Sequence, residues 1–346
     1  MATLKDIANY TGVSCTTVSN VIHGKPGRVS AETVAMIQEA ITKLGYVPNM
    51  SARALVSHSS KVIAMINHVV TKRSSKFMDD PFESSFVGTI EAALREHGYY
   101  LMIRTVETSE DLLAFLQNWN VDGLFFTGIF KDKFFDVLTK LSIPTVFIDS
   151  YVHHPGIYNI GLKDFEGSHT ATMHLIEQGH RHIAFASPSI KDGGVLQERF
   201  LGYKAALTKA GIPFDKTMVF EYEMDINSCL QLSKELVAKY RSVSNIDQRI
   251  SSLVVTADIM AAGVMAGLRN EGLIIPDDIS IIGFDDLSIC RMITPPLTTI
   301  HQDMEKKGYL AVDCMLKQLA GDPIEQPEII LPTHLVERES VRTLTP

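Results

Sequence analysis

The first 55 residues constrain this chain most. In the run Thr3-Leu4-Lys5-Asp6-Ile7-Ala8, Thr3 and Asp6 have the spacing of a helix-starting capping box, and Leu4, Ile7 and Ala8 fall on one helical face. Gly12 then supplies a turn that calls for positive φ. Ser14 caps a second helix whose Val18, Val21 and Ile22 point inward, leaving Cys15, Thr16, Ser19 and Asn20 outward. Those outward side chains are short, so such a helix can approach base edges closely, as the second helix of a helix-turn-helix does in the major groove. The alternative is a helical hairpin inside a larger core. Ser30 caps a third helix over 31–44, closed by Gly45, with Val34, Ile37, Ala40, Ile41 and Leu44 facing the other two. Pro48 breaks the chain, and 49–56 can form only a short helix, marginal in water alone and expected to fold when two copies meet on DNA.

Beyond residue 60 the pattern changes to alternating strands and helices. Strands are expected at 62–66, 100–104, 123–127 and 145–148, with helices around 86–97, 111–119 and 133–141 between them. A second series has strands near 183–186, 218–222, 252–256 and 280–284, and helices near 168–178, 198–210, 228–240 and 260–271. Such alternation implies parallel sheets covered by helices, and two series imply two lobes. Ligands of such sheets bind where the strand C-terminal ends face a crevice.

A chain of 346 residues suits two or three domains. No stretch is long and apolar enough to span a bilayer and no N-terminal signal peptide is visible, so the expected location is the cytoplasm. The four cysteines, Cys15, Cys229, Cys290 and Cys314, have no C-x-x-C spacing, which fits free thiols rather than disulfides or a metal site. The net charge of -8 is unevenly placed. Residues 1–60 carry Lys5, Lys25, Arg28, Lys43 and Arg53 against Asp6, Glu32 and Glu39, a net +2, so the remainder carries -10. An acidic body discourages non-specific coating of DNA, and a weakly basic head needs base contacts as well as phosphates for tight binding.

The segments Leu4–Ala8, Gly12-Val13-Ser14 and Thr17-Val18-Ser19, with Gly45-Tyr46-Val47-Pro48-Asn49 and then Ala52, Arg53 and Leu55, resemble the head of the lactose-repressor (LacI/GalR) family of bacterial transcription regulators. The resemblance continues to the C-terminus. It implies an all-α helix-turn-helix head plus hinge helix, joined to a two-lobe α/β core like the type 1 periplasmic binding proteins, with parallel sheets. The expected divisions are head 1–48, hinge helix and linker 49–60, first lobe 61–161 with 297–324, and second lobe 162–296 with 325–346. The partners implied are pseudo-palindromic double-stranded operator DNA, a small polar effector and a second copy of the chain. Without an added heptad helix after 335–341, a homodimer is expected rather than a larger assembly.

On the head, Thr16 and Asn20 are the base-contact candidates, with Cys15 beside them, because an Asn amide pairs with adenine and Thr meets a thymine methyl or a hydrogen-bonding edge. Thr17, Ser19 and Ser14 suit phosphates, as do Lys5, Lys25 and Arg28 unless simply solvated. By resemblance, Leu55 wedges into the minor groove, with Arg53 beside it in the hinge. Many relatives carry a longer, charged residue where this chain has Asn20, which leaves the operator sequence open.

In the body, the resemblance points to Arg199, in Glu198-Arg199-Phe200-Leu201-Gly202-Tyr203, and Asp285, in Gly283-Phe284-Asp285-Asp286, as effector ligands. A guanidinium forks onto ligand hydroxyls or a carboxylate, and a carboxylate accepts from hydroxyls or amines. Asp149 ends a strand in the same way, and Phe82, after Asp80-Pro81, is either a ring-stacking platform or core. For the charged three, the alternative is an inter-lobe salt bridge or a helix cap. Asp258 reads as the cap of a helix beginning at Ile259. Ala257 stands where sugar-responsive relatives often place Asn, so a sugar effector is implied by the family while a purine, a sugar phosphate or another polar metabolite stays open.

Two other functions compete. A nucleotide-dependent Rossmann enzyme fits the alternation, yet no G-x-G-x-x-G turn or P-loop follows an expected strand. A transport-associated sugar-binding protein fits the body but not the head. The expectation is therefore a regulator, not an enzyme, with no cofactor and no metal.

Overall fold

The structure, a computed structural model, describes residues 2–22, 27, 29–46, 59–68, 78–131 and 133–344. It divides into two compact units, Met1–Ser60 and Lys61–Pro346.

In the first unit, α1 (Leu4–Thr11) starts at a complete capping box: the Thr3 hydroxyl accepts the Asp6 N–H, and the Asp6 carboxylate accepts the Thr3 N–H. Gly12 closes it at φ 70°. After α2 (Cys15–Ile22), Ser30 caps α3 (Ala31–Leu44), and Gly45 at φ 61° returns its N–H to Ile41 and Thr42 carbonyls. Ile7, Ala8, Val18, Ile37 and Ala40 are buried together, which makes the three helices a small core of their own. The short segment expected to form the hinge helix, with Arg53 and Leu55, lies outside the described residues.

The second unit holds two six-stranded sheets. The first runs β11-β5-β4-β3-β1-β2, all parallel, from β1 (Val62–His68), β2 (Tyr100–Val106), β3 (Gly123–Thr127), β4 (Thr145–Ile148), β5 (Tyr158–Leu162) and β11 (Glu328–Leu331). The second runs β12-β10-β9-β8-β6-β7, from β6 (Ile183–Ser187), β7 (Val219–Glu221), β8 (Ser252–Val255), β9 (Ser280–Asp285), β10 (Thr298–His301) and β12 (His334–Val336). Only β12 is antiparallel to its neighbour. The inner strands are apolar and buried along their whole length, as sheets covered on both faces require.

The expected lobe boundaries shift. β10 pairs with β9, so the chain is still in the second lobe at residue 301, and β11 pairs with β5, so it is in the first lobe until 331. The return crossings therefore fall near 302 and 332 rather than at 297 and 325. Three helices also begin a turn or so earlier than apolar periodicity alone suggests. α4 (Pro81–Glu96) starts behind the Asp80 cap with Pro81 in its first turn, where a missing N–H does no harm. α7 (Asp164–Glu177) and α8 (Val195–Lys209) likewise start ahead of their apolar stripes. Those early turns carry Glu83 and Asp164, and Arg199 stands just past the third.

Candidate functional site

α2 presents Cys15, Thr16 and Asn20 to solvent, while Val18 on its opposite face is fully buried. Ser14, also exposed, accepts the Thr17 N–H at 3.1 Å, and its hydroxyl lies 2.9 Å from the Thr17 hydroxyl. Both are thus engaged in starting the helix. Ser19 is half-buried and Lys5 is exposed on α1. The head therefore brings the expected base-contact residues onto one open helical face.

The second polar surface lies between the lobes of the body, and it is built at strand ends. Asp149 follows β4 at φ 50°, and Asp285 ends β9 at φ 119°, both in the left-handed half of backbone space. Such conformations persist where the surroundings hold them, and they aim these carboxylates out of their sheets.

The charged groups form a ring. Lys307, on α11 (Met304–Ala320), donates to both oxygens of Asp149 at 2.8 and 2.7 Å and to Gln302 Oε1 at 2.7 Å. Gln302 Nε2 donates to Asp285 Oδ1 at 2.6 Å. Arg199 Nη1 stands 3.8 Å from that same oxygen, while its Nε donates to Asp164 Oδ1 at 2.8 Å. The Tyr151 hydroxyl donates to Asp164 Oδ2 at 2.7 Å, which brings the ring back to within two residues of Asp149. Asp149, Tyr151 and Lys307 belong to the first lobe, Asp285, Arg199 and Asp164 to the second. Arg199 also donates to the Thr256 carbonyl and stacks its guanidinium 3.6 Å from the Phe284 ring centroid.

Gly202 lets this happen. A Cβ there would collide with the Phe165 carbonyl and the His169 N–H, so only glycine lets α7 and α8 approach closely enough for Asp164 to reach Arg199. Burial pushes the Asp164 and Asp285 carboxyls up, opposed by the Arg199 charge. Burial also works against the Arg199 charge, but Asp164 and Asp285 outweigh it and hold the guanidinium above its ordinary range. A ring of acceptors and donors whose partners are one another can exchange them for ligand hydroxyls.

The ring joins three of the four body residues expected from sequence, Arg199, Asp285 and Asp149, and in this structure they are paired as an inter-lobe network. Phe82, half-buried, stacks on Phe86 at 6.4 Å and lies 5.8 Å from the Lys307 ammonium, so it touches both core and ring. A cavity of about 120 Å³ opens beside Asp149, lined by Gly128, Phe130, Ser189, Lys191 and Gly194. Asp258 does not cap its helix. It opens α10 (Asp258–Asn270), is fully buried, and accepts the Leu287 N–H at 2.9 Å and the Thr299 hydroxyl at 2.6 Å. Burial pushes its carboxyl up to about 6, and Gly283 leaves the room it occupies. Sequence reasoning missed Lys307, Gln302, Asp164 and Tyr151. Lys307 was signalled by its place in an otherwise apolar stripe with Ala311, Cys314 and Met315.

Residues 3–49 match the bacterial regulatory proteins of the lacI family, and residues 172–341 match a periplasmic binding protein-like domain. The transcriptional regulator CelR of Thermobifida fusca is 31% identical over 98% of each chain. The chain belongs to the LacI family. Among solved LacI-family structures, the lac repressor dimer bound to operator and an anti-inducer superposes with a TM-score of 0.82 at 26% identity, over 99% of each chain. A CelR–cellobiose complex superposes at 0.71, with 28% identity over 98% of this chain and 100% of that one. The two-part fold expected from sequence is thus the fold of this LacI-family member, and its relatives are DNA-binding transcription regulators, not enzymes. No helix of the described residues is long and apolar enough to cross a membrane.

Proposed function

We propose that this chain is a cytoplasmic, homodimeric operator-binding repressor whose inter-lobe cleft binds a sugar. Thr16, Asn20 and Cys15 read base edges. Ser14, Thr17, Ser19, Lys5 and Arg53 hold phosphates, and Leu55 wedges into the minor groove. Arg199, Asp285 and Asp149 bind the effector's hydroxyls, with Phe82 beside them. The observation that carries the cleft is the ring itself: charged groups from both lobes converge where strands end, in a family whose CelR member is seen with cellobiose. A ligand that exchanges its hydroxyls for ring partners has different affinity for open and closed lobes, and operator affinity shifts by that difference.

The test is thermal stability of the full chain against a panel of sugars, sugar phosphates and purines, with Arg199→Ala alongside. A native-state ligand raises the melting temperature. The expected result is a sugar-dependent rise that Arg199→Ala abolishes, together with a change in operator affinity in a gel-shift assay. A purine or sugar phosphate giving the only rise overturns the sugar assignment, and a rise that Arg199→Ala leaves intact overturns the site. For the head, Leu55→Ala is expected to weaken operator binding while the body melts unchanged. Unaltered affinity would remove the wedge.

A further inference from the structure

One oxygen of the Glu83 carboxyl has nothing to bond among the described residues. Glu83 stands in the first turn of α4, and its Oε2 is closed off from solvent with no hydrogen-bond partner. Among the described residues, the charged groups facing it are Asp80, which caps its own helix, Asp149 after β4, Lys307 on α11 and Asp285 at the end of β9. Three of those four are carboxyls. The one ammonium is already saturated: a lysine has three N–H donors, and Lys307 gives them to the two Asp149 oxygens and to Gln302. An acid in a first helical turn is ordinarily favoured by the helix dipole. Here burial, with Asp80 and Asp149 adding to it, instead pushes the Glu83 carboxyl up to about 8. Buried polar atoms in native proteins are paired, and an orphan buried beside the charges of the ring points to a partner that arrives with the ligand.

Resting on the reading of the cleft as an effector site, we propose that Glu83 is a recognition carboxyl and that the effector it selects is an amino sugar. A protonated amine brings up to three donors and a positive charge not already committed to another carboxylate. A hydroxyl brings a single donor and no charge. A phosphate or carboxylate adds a further negative charge beside Asp80, Asp149 and Asp285. Lys191 also lines the cleft cavity, but its ammonium lies 5.9 Å from the Phe130 ring centroid and is not among the charges facing Glu83. The proton balance is explicit. The ligand keeps its ammonium, Glu83 gives its carboxyl proton to solvent, and an ammonium–carboxylate pair remains.

The experiment is isothermal titration of the full chain with the β-1,4-linked disaccharide of glucosamine, cellobiose and glucose 6-phosphate, at pH 6 and 7, in buffers of differing ionisation enthalpy. Wild type, Glu83→Gln and Arg199→Ala are compared. Wild type should bind the diamine about tenfold or more tighter than cellobiose, as a charge-assisted bond predicts. Proton release should accompany binding, and affinity should rise from pH 6 to 7. Glu83→Gln should abolish both the preference and the proton release. Cellobiose or glucose 6-phosphate binding as tightly as the diamine, with Arg199 required, overturns the amino-sugar assignment and leaves the cleft intact. A diamine preference that survives in Glu83→Gln overturns the role of Glu83. No binding of any of the three by protein that still binds operator overturns this inference, and the broader panel above then decides the cleft separately. The wild-type comparison of diamine with cellobiose needs no variant to fold.

Discussion

Lys307 donates to both carboxylate oxygens of Asp149, at 2.8 and 2.7 Å, across 158 positions of sequence and from a side chain with no solvent exposure. A fully buried ammonium is tolerated only when its donors are taken, and here one carboxylate and one amide take them all. The pair fixes the first-lobe half of the cleft to the helix that follows the return crossing near 302.

Removing that cation should be expensive. Lys307→Met leaves Asp149 and Gln302 without their donor and is expected to destabilise the body by about 3–5 kcal/mol, the range for breaking a buried pair from one side. Lys307→Met with Asp149→Asn should recover part of the loss, because the unpaired buried charge is gone and Asn tolerates the left-handed backbone at this position. Urea melts of the two variants check both expectations.

Glu83 gives stability a pH signature. Its folded carboxyl is raised from 4.5 to about 8, so between those values the folded chain binds a proton that the unfolded chain has lost. Stability from this group is therefore full below about pH 4.5 and falls as pH rises to about 8, with a slope of at most ~1.4 kcal/mol per pH unit. Glu83→Gln removes that slope and should be more stable than wild type at pH 8. Asp258, raised from 3.8 to about 6, adds a second fall in the same sense at lower pH. Urea melts from pH 5 to 8.5 separate the two.

Gly202→Ala tests the helix contact beneath the ring. A Cβ meets backbone atoms of α7, which cannot move aside as a side chain would. The expected loss is about 1–3 kcal/mol, with effector affinity falling too because Asp164 is drawn away from Arg199. Thermal melts with and without ligand measure the two effects separately.

On the head, Thr3→Ala removes a complete capping box and should cost about 1 kcal/mol of head stability without altering the body's melt. Asn20→Ala should leave the head folded, since the side chain is exposed, and lower discrimination at one operator base pair by about 1–3 kcal/mol. Binding to operators substituted one base pair at a time locates the position read.

The head was legible almost residue by residue because its information is local: Thr3 with Asp6, Gly12, Ser30 and Gly45 each act on the turn they occupy. The two-lobe body was legible from alternation, but not where the chain crosses between lobes. β10 and β11 are four residues each, and nothing within so short a strand says which sheet will take it. The cleft was legible as single residues and not as a ring. Asp258 resembles a cap in sequence, yet its acceptors are used by Leu287 and Thr299, 29 and 41 positions away. Lys307 and Asp164 were hidden in helices that otherwise read as plain core-facing stripes.

The crossing pattern also bears on how the chain is made. The head needs only its own early residues, so its core can close while most of the message is untranslated. Neither lobe has that option. The first receives its edge strand β11 only at 328–331, and the second still awaits Ser340, whose hydroxyl donates to the Ile281 carbonyl and accepts from Thr298. A chain arrested before residue 328 therefore carries a head whose core is complete on a body whose two sheets each still lack a piece that arrives later.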